Sequence, residues 1–129
     1  MPAELPAKQV LTNVTHLAEA RRLLLQPGRG LLHALVSQLQ SPNALRRLGS
    51  SGAIKNCVMS CEEDGTLESI IADRTLLEHM LRPISGKEPL EKEETVRECM
   101  AESVLVLAGT ATGRDALWEA GAPEALRKG

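Results

Sequence analysis

The sequence predicts an all-α protein, folded as one domain in which helical repeats stack with a right-handed twist. Three observations favour this fold class. Apolar residues recur at three- and four-residue spacings, which places them on one face of a helix. Phe and Tyr are absent and Trp118 is the only aromatic residue among 129, so the core must be aliphatic, as suits packed helices better than a β-sandwich. Asn13 and Asn56 stand at matching places in two predicted long helices, 43 residues apart.

The 43–61 stretch is the long helix around which the other elements are arranged. Ser41-Pro42 precedes it, and Asn43 can begin it by capping free N–H groups. The sequence Gly49-Ser-Ser-Gly52 predicts a kink or a break there. Thr66 is expected to cap a later helix, and Pro83 to end another. The other predicted helices span residues 8–17, 18–26, 30–40, 66–73, 74–81, 94–108, 113–120 and 123–128.

These helices group into three repeats, at residues 8–42, 43–86 and 94–129, with a polar loop at 84–93. The Asn spacing lies within the roughly 40–47 residues of HEAT and armadillo repeats. The helix order resembles an armadillo repeat, which ends in a long helix carrying an Asn on the concave, partner-binding face. Importin-like armadillo proteins add a Trp one turn earlier, where this chain has Gln9 and Gly52, which argues against their peptide-binding mode.

Composition excludes several functions. The formal net charge is −2 with both signs interspersed, so a basic surface for nucleic acid is absent. No apolar run approaches the ~20 residues of a membrane span, and residues 1–10 contain no signal-peptide pattern. The three cysteines are odd in number and do not have the spacing of a secreted disulfide framework, which favours a reducing compartment, the cytoplasm.

Five residues are the candidate partner-binding set: Asn13, Arg46, Arg47, Lys55 and Asn56. For the two Asn residues the alternative is a side chain that bonds backbone between stacked helices. For the Arg pair the alternative is one solvated Arg and one Arg paired with an acidic residue of the next repeat. If the set binds an acidic partner, reversing Arg47 and Lys55 should weaken capture, and reversing Arg127 and Lys128 should have little effect.

No catalytic or cofactor site is predicted, and the chain is interpreted as a non-enzyme. Cys57, Cys61, Cys99 and His79 could form a zinc site, but they lack the paired spacing of structural zinc motifs, so buried core cysteines are favoured. Glycine-rich phosphate loops are absent. Trp118 is expected to pack in the core or at a stacking interface, and the alternative is a residue that binds a partner.

Four collinear segments carry a closer resemblance. They are LTNVTH at 11–16, ALRRLGSSGAIKNC at 44–57, LLEHMLRPISG at 76–86 and VRECMAESVLVLAGTATGRDALWEAGA at 96–122. They resemble the HGH homolog family of armadillo-like cytosolic proteins, as a diverged or partial member. The resemblance implies an adaptor that binds newly made translation elongation factor two and helps the cytosolic chaperonin fold it. The alternative is a generic armadillo scaffold that binds another protein in its concave groove.

Repeat stacking also predicts that the 129 residues form an incomplete solenoid. A repeat buries its apolar face only against its neighbours. At the C-terminal end, Val104, Leu105 and Leu107 are therefore expected to lack part of their cover. We expect self-association, or a longer natural chain with further repeats.

Overall fold

The structure is a computed structural model that describes residues 13–26 and 30–128. These residues form helices joined by turns, with no strand among them, which confirms the all-α prediction. Residues 8–12 of the predicted first helix, including Gln9, lie outside the described residues. Asn13 and Val14 are helical, and a turn follows.

Nine α-helices follow that turn in the described part of the chain. They are α1 (Ala18–Leu24), α2 (Leu31–Ser37), α3 (Ala44–Met59), α4 (Cys61–Asp64), α5 (Leu67–Ile71), α6 (Arg74–Leu81), α7 (Glu94–Ala108), α8 (Ala111–Glu119) and α9 (Ala122–Lys128). Short 3-10 turns at Gln38–Gln40 and Arg82–Ile84 extend α2 and α6.

Side-chain caps begin several of these helices. The Asn43 carboxamide oxygen accepts a hydrogen bond from the Leu45 amide at 2.9 Å, as expected for the first residue before α3. Asp73 caps α6 in the same way. The expectation that Thr66 caps α5 is wrong. Its hydroxyl is turned back to the Cys61 carbonyl at 3.5 Å, because Thr66 is buried at the end of α4.

Helices of similar length pack in rows. The long helices α3 and α7 make the most extensive helix–helix contact. The medium helices form a second row, in which α2 contacts α6 and α6 contacts α9. The short helices α5 and α8 pack on each other as well. Spatial order within each row therefore follows chain order.

Helix α3 is unbroken, so the predicted break at Gly49–Gly52 is wrong. Gly49, Ser50 and Ser51 are all buried. The Ser51 hydroxyl donates to the Leu48 carbonyl at 2.9 Å and lies beside the Cys99 thiol of α7. These residues disfavour a helix in isolation, but their small size lets α7 pack closely, and that packing holds α3 in helical form.

Aliphatic and sulfur-containing side chains fill the core. Cys57, Cys61 and Cys99 are buried there, as predicted. At the C-terminal end the expected exposure is confirmed only for Leu105, which is 73% exposed. Val104 and Leu107 are covered, because the chain turns tightly from α7 into α8; a Cβ on Gly113 would collide with the Leu107 carbonyl oxygen.

Trp118 is not part of this core. Its side chain lies on the outer side of α8 and is 73% exposed, so the expectation of core packing is wrong. The neighbouring Leu117 occupies the buried position instead, at 4% exposure. Since adjacent helical residues point about 100° apart, the two side chains cannot share one face.

Candidate functional site

The outward sides of the two long helices form the candidate site, called here the long-helix face. Burial repeats every three or four residues along α3 and α7, so each helix keeps one continuous strip facing solvent. The face consists of Leu45, Leu48, Gly52, Lys55, Asn56 and Met59 of α3 and Glu94, Glu98, Ala101, Glu102 and Leu105 of α7.

An ion pair joins the two strips into one surface. The Lys55 ammonium lies 2.7 Å from a Glu102 carboxylate oxygen, with the two side chains 33% and 47% exposed. This hydrogen bond is the main reason that the pKa of Lys55 is raised. A bond this short between two partly exposed side chains requires the two strips to adjoin. The long-helix face is therefore continuous across the α3–α7 boundary.

Apolar and acidic side chains dominate this face. Leu105 is 73% exposed, Leu45 55% and Met59 46%. Among its members Lys55 is the one cation, against three glutamates, and it is already paired with one of them. Glu94 and Glu98 therefore leave the surface acidic around its exposed apolar side chains.

Asn56 lies at the edge of the long-helix face that is turned toward residues 13–17. Its side-chain amide donates to the Thr15 hydroxyl at 2.9 Å, and Thr15 is fully buried. Asn13 is exposed two residues before Thr15. Asn56 thus bonds a side chain of the preceding helical segment rather than only backbone.

The two arginines lie away from the long-helix face. Arg47 donates to both carboxylate oxygens of Glu91, at 3.0 and 3.2 Å, and to the Ser41 carbonyl at 2.8 Å. Arg46 is exposed. Nine residues separate Arg46 from Lys55, about two and a half helical turns, so they point to opposite sides of α3. Arg46 and Lys55 therefore do not share one surface, and Arg47 is engaged by Glu91. The assignment of both arginines to partner binding stays a prediction.

One Arg is thus solvated and the other paired, as in the alternative considered from the sequence, except that Glu91 lies in the predicted polar loop 84–93 rather than in the next repeat. This arrangement also removes the basis for expecting an acidic partner on the long helices. The side chains of Arg127 and Lys128, the intended comparison pair, lie outside the described residues.

A buried ion pair was missed by sequence reasoning. The Arg21 guanidinium donates to both carboxylate oxygens of Asp64, at 2.6 and 3.1 Å, and to the Thr15 carbonyl at 2.9 Å. The side chains are 10% and 2% exposed. The hydrogen bond to Asp64 raises the pKa of Arg21, and the same bond lowers the pKa of Asp64. The only signal in the sequence was a separation of 43 residues, the same as between Asn13 and Asn56.

The cysteines are poorly suited to nucleophilic chemistry. Burial removes water from the Cys57 thiol and raises its pKa to about 12, so the reactive thiolate is scarce near neutral pH. Burial likewise raises the pKa of Cys61 and of Cys99. Within residues 13–26 and 30–128, no three His, Cys, Asp or Glu side chains gather where they could hold a metal ion. No helix in this part of the chain is long and apolar enough to cross a membrane.

These features define a class, a helical protein with an exposed face on two adjoining long helices, and comparison with known proteins identifies the family. A family model described as a domain of unknown function, DUF383, matches residues 8–109. The chain therefore belongs to this family, whose relatives are named Protein HGH1 homolog.

The similarity to individual relatives extends over most of the chain. The Protein HGH1 homolog of Xenopus tropicalis is 30% identical over 126 residues, which covers 81% of this chain and 34% of the relative. The Homo sapiens protein is 27% identical, over 92% of this chain and 36% of its own length. The Dictyostelium discoideum protein is 26% identical, over 81% of this chain and 36% of its own length. The chain thus spans about one third of the length of these relatives. No solved structure matches the chain.

Proposed function

We propose that this chain is a protein-binding adaptor and that the long-helix face is its binding surface. The observation that carries the proposal is the exposure of Leu45, Met59 and Leu105 on one continuous face. A single exposed apolar side chain is ordinary on any protein. Several on one face of adjoining helices, bordered by charged groups, are typical of surfaces that bind another protein.

The architecture that we propose is an armadillo-like solenoid. Supporting contacts join residues about one repeat apart: Arg21 to Asp64 over 43 residues, Arg47 to Glu91 over 44, and Asn56 to Thr15 over 41. The rows of long, medium and short helices are what a stack of three-helix units would produce, since each unit contacts its neighbour through equivalent helices. In such a stack the long helices line the concave side.

The partner that we propose is newly made translation elongation factor two, delivered to the cytosolic chaperonin in the cytoplasm. This proposal rests on the resemblance to the HGH homolog family and on the family membership. The alternative is a scaffold of the same architecture that binds a different protein. In both cases the acidic border of the long-helix face favours a partner surface that combines apolar side chains with Lys or Arg.

A capture experiment tests both the face and the partner. The chain is immobilised and incubated with eukaryotic cytosol, and bound proteins are quantified by mass spectrometry. Elongation factor two and chaperonin subunits should be enriched, and binding should then be repeated with purified elongation factor two. Leu105→Glu should abolish most of this capture, because it replaces the most exposed apolar side chain of the long-helix face with a charge.

Leu23→Glu is the matched control, since Leu23 is 51% exposed on α1 and outside the long-helix face. Capture should survive this change. If other proteins are enriched without the elongation factor and are lost with Leu105→Glu, the scaffold alternative is correct. If both variants bind as the unchanged chain does, the long-helix face is not the binding surface.

A further inference from the structure

A cleft of about 500 Å³ lies apart from the long-helix face. Its walls are residues 39–42, the end of α6 with the Arg82–Ile84 turn, and residues 89–92 at the approach to α7. We call it the 89–92 cleft. Its volume is within the range of roughly 300–1,000 Å³ that is usual for binding pockets.

The lining combines an apolar surface with positive charge. Leu39, Pro42, Pro83, Pro89 and Leu90 supply the apolar part, and Leu90 is 52% exposed. Three of these five are prolines, which are rigid and have no backbone N–H to satisfy. The three prolines therefore add no backbone N–H that an apolar side chain buried in the cleft would leave unpaired.

The charged residues of the cleft are Arg47, Arg82, Lys92 and Glu91. Arg47 and Glu91 neutralise each other through their two hydrogen bonds. Arg82 makes only a long contact with the Glu88 carbonyl, at 3.4 Å, beyond the usual N–H···O distance of about 3.2 Å. Two cations thus remain to attract an acidic ligand, in a chain whose net charge is −2.

A neighbouring cleft of about 340 Å³ continues the first one. The two share Gln40, His79 and Arg82. The second runs on past Lys87 to the start of α9, and the carboxylates of Glu78 and Glu124 line it beside Lys87. His79 contacts the Thr75 carbonyl through Nδ1 at 2.7 Å. Because a carbonyl can only accept, Nδ1 carries the proton, and Nε2 of the neutral ring is an acceptor for a ligand N–H. The two clefts form a groove with Arg82 at its middle.

We propose that this groove binds an acidic peptide segment in extended conformation, as a second binding site separate from the long-helix face. Arg82 and Lys92 bind its carboxylates, and an apolar side chain between them packs on Leu90 and the prolines. The elongated, two-part shape favours an extended chain over a compact anion. The positive charge of the groove is concentrated in the 89–92 cleft, since Glu78 and Glu124 offset Lys87 in the second part, so the carboxylates of the peptide bind at the Arg82–Lys92 end. That end and the acidic long-helix face select different partner segments.

Fluorescence anisotropy with a labelled probe tests the proposal on the whole chain. The probe is a terminally blocked peptide of alternating glutamate and leucine, about eight residues long, and a peptide with lysine in place of glutamate is its comparison. The acidic peptide should bind and the lysine peptide should not. The double variant Arg82→Glu/Lys92→Glu should weaken binding about tenfold or more, because two attractions become repulsions.

The control is the double variant Arg22→Glu/Arg74→Glu, which changes the net charge equally at exposed positions outside the groove. Its affinity should stay within about twofold of the unchanged chain. If circular dichroism shows that the Arg82 variant is unfolded, Lys92→Glu alone replaces it, since Lys92 is exposed in a non-helical segment. Equal weakening by the control, or equal binding of the lysine peptide, would overturn the proposal. Competition by citrate as effective as by unlabelled peptide would also overturn it, by showing a site for small carboxylates.

Discussion

The two sides of α3 are held by different chemistry. On the side of residues 13–24, the buried links are polar: Arg21 bonds Asp64, just beyond the end of α3, and Asn56 bonds Thr15. On the side of α7, the links are a buried aliphatic core and the small Ser51 beside Cys99. A salt bridge is present here too, between Lys55 and Glu102, but it is exposed.

The difference shows which contacts supply stability and which set the alignment of the helices. Burial of apolar surface stabilises the folded state by roughly 25 cal/mol per Å², and this does not depend on the exact alignment of the two surfaces. A buried Arg–Asp pair gains little net free energy, because both ions lose water, yet it is satisfied in one geometry only. We interpret the α3–α7 side as the main source of stability and the Arg21–Asp64 pair as the contact that fixes alignment.

The largest expected effect is on the apolar side. Leu107→Ala should lower the free energy of unfolding by about 3–4 kcal/mol, because Leu107 is fully buried and its loss leaves a cavity. The matched control is Leu105→Ala on the same helix, which should change stability by under about 0.5 kcal/mol, since Leu105 is 73% exposed. Urea unfolding of both variants measures the difference. Similar losses in the two would mean that α7 is not oriented as described.

On the polar side, Asp64→Ala should cost about 3 kcal/mol, because it leaves the Arg21 guanidinium buried with only the Thr15 carbonyl as partner. The double variant Arg21→Met/Asp64→Leu should regain most of that loss, since an apolar pair of similar volume has no buried charge. The same urea experiment tests this. A double variant less stable than Asp64→Ala would show that the ion pair itself is a net source of stability.

The sequence alone predicted the first and last residues of those helices whose ends are determined by neighbouring residues in the chain. The predicted helices 74–81 and 94–108 coincide with α6 and α7. The first ends where Pro83 limits continuation, and the second begins after a polar segment with clear apolar spacing. Asn43 was identified as the start of α3 because a cap depends on residues within one turn.

Features that depend on residues far apart in the chain could not be predicted from the local sequence. The burial of Arg21 depends on Asp64, and the unbroken course of α3 depends on the close approach of α7. At the candidate site, Lys55 and Asn56 lie on the outward side of the long helix, and their part in partner binding stays a prediction. Arg46 and Arg47 were grouped with them by position in the chain, without allowing for the 100° rotation per helical residue.

Lowering the pH should change the stability contribution of one side of α3 and not of the other, and this effect is smaller than those above. The Arg21 guanidinium holds the pKa of Asp64 below its ordinary value of 3.8. The contribution of this carboxylate is therefore fully present above about pH 4 and is lost as the pH falls through the lower, folded-state pKa. The stability difference between the unchanged chain and Asp64→Ala should shrink as the pH is lowered from about 4 toward about 2. The loss caused by Leu107→Ala should stay constant over that range, because no titrating group is removed.

The smallest effect is expected at the exposed pair on the long-helix face. Lys55 and Glu102 lie 2.7 Å apart but keep 33% and 47% of their side-chain surface in water, so solvent and salt screen their attraction. A double-mutant cycle with Lys55→Ala and Glu102→Ala should give a coupling of about 0.2–1 kcal/mol, falling further in about 1 M NaCl. The buried Arg21–Asp64 pair, measured by the same cycle, should couple more strongly and respond less to salt. If Lys55 and Glu102 coupled as strongly as the buried pair, the long-helix face would be more rigid and less hydrated than its exposure indicates. Its charged rim would then help to align α3 with α7 as well as to bind a partner.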